Sequence, residues 1–139
     1  MNISKEMQKT FTEDLEFVVK QMKESTEIST KMYYLSATFS CAQRIINIEF
    51  DEEMAFIQCC LQYTHQLLEA RRQRLQQGQE KEIIFPPNLF ERLEEDLSEL
   101  QAKVEEGKET YKILQKISIL AYSVTGNGYY LYSKGILKI

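Results

Sequence analysis

The sequence predicts an all-α protein: an antiparallel four-helix bundle with a long C-terminal helix and a docked aromatic tail. Three observations carry that expectation. Neither glycine nor proline, the strongest interrupters of regular structure, occurs before Gly78. Apolar residues recur at three- and four-residue steps, the period of one helix face. The interruptions fall at polar, acidic or Gly/Pro clusters: 23–27, 50–53, 78–88 and 125–128.

The first helix is expected over about 4–24, with the stripe Met7, Phe11, Leu15, Val18 and Met22. Thr10 with Glu13 has the spacing of a capping box, which would move the ordered start nearer 11. The step from Met22 to Ile28 breaks the helical phase, and Ser25 or Thr26 is a good N-cap. A second helix is therefore expected over 27–49. Its core stripe is Ile28, Met32, Leu35, Phe39, Ala42 and Ile46. An opposite stripe, Tyr34, Ala37, Cys41, Ile45 and Ile48, makes it apolar on two faces. Such a helix is central, or another molecule covers it.

Asp51 is placed to cap a third helix over 51–77, and Gly78 to stop it. Its apolar face ends in Arg71 and Arg74. An antiparallel hairpin would bring those arginines to Glu91, Glu94, Glu95 and Asp96, so ion pairing is expected there. The loop that follows contains Ile83-Ile84-Phe85, which is expected to pack down.

Pro86-Pro87 and then Asn88, with Glu91 three residues on, mark the start of a fourth helix over 89–123. Its seam runs Leu93, Leu97, Leu100, Val104, Gly107, Tyr111, Leu114, Ser118 and Ala121 in alternating steps of four and three. Unbroken phase on both sides of Gly107 predicts a continuous helix about 50 Å long at 1.5 Å per residue. A closely packed neighbour would then explain the glycine. Thr125-Gly126-Asn127-Gly128 is a turn signal, and the tail 125–139 is expected to cover the second half of this helix, unless another subunit does.

The chain's 139 residues suit one domain, 1–139, burying roughly two-thirds of its unfolded surface. A net charge of −4 argues against a nucleic-acid binder, which is normally basic. No apolar run is long enough to span a membrane. The first ten residues lack the apolar core of a signal peptide. Three cysteines without metal spacing point to a reducing cytoplasm.

Residues with chemical potential are few, and no catalytic, metal or cofactor site is expected. His65, the sole histidine, is expected at a helix edge beside Glu69. Cys59 and Cys60 point about 100° apart on a helix and cannot readily share a metal. Arg71, Arg72 and Arg74 are the candidate phosphate contacts, if a nucleic acid binds at all. Of the eight tyrosines, four lie between Tyr122 and Tyr132, and tyrosine is enriched at interfaces. The candidate interface is therefore Tyr34, Ala37, Cys41, Ile45 and Ile48, with Tyr129, Tyr130 and Tyr132. Three function classes follow. The first is a non-catalytic module that binds itself or another protein. The second is a ligand-binding or enzymatic bundle with an interhelical pocket, in which Tyr33, Tyr63 and Tyr111 are candidates. The third is a nucleic-acid accessory protein.

Overall fold

A computed structural model of the chain describes residues 1–78 and 88–138. The expectations for Ile83-Ile84-Phe85 and Pro86-Pro87 fall outside those residues. The described chain is all-helical: α1 Lys5–Glu24, α2 Ile28–Ile48, α3 Glu52–Gln76, α4 Leu89–Glu105, α5 Tyr111–Tyr122 and α6 Gly126–Ser133.

The first three helices lie where the apolar phase places them. Ser4, not Thr10, caps α1, accepting from the Met7 amide at 3.2 Å. Ser25 ends α1 instead of starting α2, and its hydroxyl lies 3.3 Å from the Glu27 amide. Asp51 caps α3 as expected, accepting from the Met54 amide at 2.9 Å. Phe11, Leu15, Met22, Met32, Leu35, Ile57 and Leu61 join one core, with no accessible surface or almost none.

The single C-terminal helix is replaced by two. Gly107 adopts φ +68°. The Gly107 amide donates to the Val104 carbonyl at 3.1 Å and the Lys108 amide to the Lys103 carbonyl at 2.8 Å. This is a Schellman stop, which needs the left-handed conformation that glycine adopts without strain. Space beside Gly107 is open, so no close neighbour accounts for it. The even seam spacing across Gly107 belongs to two separate stripes. Leu93, Leu97, Leu100 and Val104 serve α4, whereas Leu114 and Ala121 serve α5. Asn88, expected to cap this helix, makes no side-chain cap bond.

The chain reverses at this stop. Asp96 of α4 pairs with Lys116 of α5 at 3.2 Å, as an antiparallel hairpin requires. α4 also runs antiparallel to α1: the Gln8 side-chain Nε2 donates to the Val104 carbonyl at 2.5 Å, and Lys23 Nζ donates to the Ser98 hydroxyl at 3.2 Å. α5 runs parallel to α3, with Thr110 bonded to Glu53 at 2.7 Å near one end and Arg71 bonded to the Val124 carbonyl at 2.9 Å near the other. The packed pairs α1–α2, α2–α3, α3–α5, α5–α4 and α4–α1 close into a ring.

The tail forms a helix, α6, with only Gly128 buried. Thr125 caps it, accepting from the Gly128 amide at 3.0 Å, and Gly135 at φ +72° ends it. It is absent from the closely packed helix pairs, so it does not blanket α5. Its last described residue reaches back, with Lys138 at the α4–α5 groove.

Candidate functional site

Among the described residues, three surface regions bear most on function. The first is α6. Eight residues are too few for a stable isolated helix, so α6 depends on its cap, its stop and the corner before it. At that corner the Thr125 hydroxyl donates to the Tyr122 carbonyl at 2.7 Å. A Cβ on Gly128 would lie 1.8 Å from the same oxygen. The corner thus admits only glycine, and it leaves the tyrosines outward. Tyr129, Tyr130 and Tyr132 remain 42%, 58% and 45% exposed. Lys134 lies 5.8 Å from the Tyr130 ring centroid, one turn along. No acid occurs between Thr125 and Lys138.

The second region is a groove of about 420 Å³ between α3 and α5. Phe56 and Tyr111 form its aromatic lip, with ring centroids 5.5 Å apart, and Cys60, Leu114 and Ser118 also line it. Burial pushes the Cys60 thiol up, away from the reactive thiolate.

The third is a cavity of about 250 Å³ between α4 and α5. Arg92, Lys112, Lys116 and Lys138 surround it, and Ile119 and Leu120 supply apolar wall. Asp96 is the acid lining it. Burial raises the Asp96 carboxyl above its ordinary pKa, and Lys116 opposes that shift. Lys116 is Asp96's ion-pair partner. Among the described residues, no carboxylate lies within ion-pair distance of Arg92, Lys112 or Lys138.

The α2 candidates divide by depth. Ile45 has no accessible surface and belongs to the core, so it cannot meet a partner. Tyr34 and Cys41 pack against that core while half-buried, and Ala37 is half-buried beside them. Ile48 alone stands out, at 61% exposed. Burial pushes the Cys41 thiol up to about 11, leaving it inert.

The arginines divide as well. Arg71 is fully buried at the α5–α6 corner and does not face a phosphate. Arg72 grips Glu69 at 2.5 and 3.1 Å, and Arg74 is half-buried on the same helix. Of the four acids expected to pair with them, Glu94 is served by Lys31 at 2.5 Å and Asp96 by Lys116.

His65 is half-buried against the Phe39 ring at 5.6 Å, and burial lowers its pKa. Glu69, its expected partner, is occupied by Arg72. Tyr33, Tyr63 and Tyr111 all face solvent and do not converge on an interior pocket. Among the described residues, no group of three His, Cys, Asp or Glu is placed to hold a metal ion. No described helix is long and apolar enough to cross a membrane.

The cationic cavity escaped the sequence. Arg92, Lys112, Lys116 and Lys138 come from two helices and a tail, and only the reversal at Gly107 assembles them. No protein-family model, curated protein or solved structure matches this chain.

Proposed function

We propose that this protein is a non-catalytic interaction module: a helical bundle of α1–α5 that self-associates through α6. The observation that carries the reading is the uncovered tyrosine cluster at 129, 130 and 132, held out by a helix too short to stand alone. Tyrosine supplies large amphipathic contact area and is enriched at interface cores. A second copy is the occupant that fits best. The chain is acidic, at net −4, so two copies repel over much of their surface. The α6 surface carries no acid and permits close approach. Two-fold pairing of like surfaces is the commonest homo-oligomer geometry. The three free cysteines suit a reducing cytoplasm.

Sedimentation equilibrium at micromolar to tens-of-micromolar protein tests this. The wild type is expected to dimerise, and the triple change Tyr129→Ser, Tyr130→Ser, Tyr132→Ser to remain monomeric with unchanged helical circular dichroism. A wild-type monomer throughout that range overturns self-association.

A further inference from the structure

We propose that the cavity between α4 and α5 binds a small organic phosphate: a compact dianion bearing a short apolar group. The argument begins with charge. Four cations, Arg92, Lys112, Lys116 and Lys138, converge on one cavity of an acidic chain. Asp96 pairs directly with Lys116 alone among them, at 3.2 Å, and its charge also reaches Arg92, so one carboxylate faces four cations. Like charges held around a cavity repel one another, and a bound dianion relieves that repulsion. A phosphate monoester carries close to two negative charges at neutral pH and three acceptor oxygens. Arginine matches such oxygens with a paired donor fork, and lysine meets them as a point charge.

Size and lining narrow the class. The cavity is about 250 Å³, below the usual range for drug-sized ligands, roughly 300–1,000 Å³. A phosphate with a few carbons fits, whereas a nucleotide does not. Ile119 and Leu120 give those carbons a wall. Lys138 places the tail at the rim, so ligand and tail share one site.

Asp96 sets the sign of a decisive test. It is almost fully buried and competes with the ligand for Lys116. Glu99 adds negative charge nearby, felt at Asp96. Replacing Asp96 with its neutral isostere therefore frees a cation for the ligand.

The full-length chain is titrated with n-butyl phosphate, inorganic phosphate and butyrate at matched ionic strength, by calorimetry and by thermal shift. Saturable binding is expected, tightest for butyl phosphate and weakest for butyrate. Arg92→Gln is expected to weaken butyl phosphate about tenfold, as for one lost charge-assisted hydrogen bond. Lys112→Gln, on an exposed position, weakens it as well. Asp96→Asn is expected to tighten it. Absence of saturable binding overturns the proposal, as does wild-type affinity in both Arg92→Gln and Lys112→Gln, or weaker binding in Asp96→Asn. Tighter binding of a phosphoserine peptide than of butyl phosphate overturns the small-molecule assignment.

Discussion

Arg71 of α3 donates from Nη1 to the Val124 carbonyl at 2.9 Å, and neither residue is exposed by more than 2%. One guanidinium inside the protein thus ties the end of α3 to the corner between α5 and α6. Arg71→Met keeps much of the volume and removes the donor. It is expected to cost about 1.5–3 kcal/mol, the usual worth of a hydrogen bond to a charged group. Urea denaturation measures this, and a loss below a few tenths of a kcal/mol would show that the bond is incidental.

Gly107 supplies a test by sign. In a continuous helix, Gly107→Ala would stabilise by about 1 kcal/mol. At φ +68° it must instead destabilise, by about 1–2 kcal/mol, because alanine resists the left-handed region. Open space around the position means the cost is one of backbone alone. Asn tolerates that region better than Ala, so Gly107→Asn is expected to cost less. Thermal melts of the two variants decide.

Gly128 behaves differently, because its constraint is steric. Gly128→Ala would drive a methyl group against the Tyr122 carbonyl, 1.8 Å away. Hydrogen exchange is expected to lose protection in α6, at the Tyr129 amide above all, while the α1–α5 amides keep theirs. Protected α6 amides in the variant would show that the corner yields easily.

Lys31 joins three elements. Its ammonium donates to the Met22 carbonyl at 2.6 Å and to Glu94 at 2.5 Å, and lies 5.9 Å from the Phe90 ring centroid. Side-chain exposures are 15% for Lys31 and 7% for Glu94. Lys31→Met strands a buried carboxylate, at an expected cost of about 3–5 kcal/mol. Adding Glu94→Met is expected to restore most of that loss, since a well-packed apolar pair can match a buried ion pair. Chemical denaturation of both variants separates the outcomes: equal loss in single and double variants would refute a stranded charge.

The N-terminal amine pairs with Glu53 at 2.9 Å. Burial pushes the Glu53 carboxyl up, but the amine and the Thr110 hydroxyl outweigh it and hold it below its ordinary value. The hydrogen bond to Glu53 holds the amine above its ordinary 8.0. A depressed carboxyl contributes stability present above its unfolded value and lost as pH falls through the folded one. A raised amine contributes stability present below 8.0 and lost as pH rises through its folded value. This pair's contribution is thus flat between about pH 4.5 and 8 and declines on both sides. Glu53→Gln should flatten both flanks of the wild-type stability–pH curve; unchanged flanks would assign them to other groups.

Legibility in the sequence followed how local each signal was. Met7, Phe11, Leu15, Val18 and Met22 place α1 because every helix, wherever it packs, must bury one face. Asp51 was readable as a cap because its partner, the Met54 amide, is three residues away. The reversal at Gly107 is hidden because a stripe's spacing does not record whether the backbone between two of its members turns back. Arg71 lies on the apolar face of α3, yet one of its acceptors is a backbone carbonyl 53 residues on. A carbonyl leaves no mark in residue identity, whereas acids do, so the sequence points to the acids of α4 and not to this bond. The α6 tyrosines were legible as a surface candidate from residue type alone. The cationic cavity was not, since its members become neighbours only through the α4–α5 reversal.

The ring of packed pairs also bears on how the chain assembles during synthesis. α5 lies against both α3 and α4, and it is the last of the five helices to be made. Until Tyr122 leaves the ribosome, the inner faces of α3 and α4 lack the helix that joins them. The apolar faces that α3 and α4 turn to α5 then wait beside an open seam. Chaperone dependence during translation should therefore concentrate in that interval, and chains stopped before Tyr111 should aggregate where full-length chains do not.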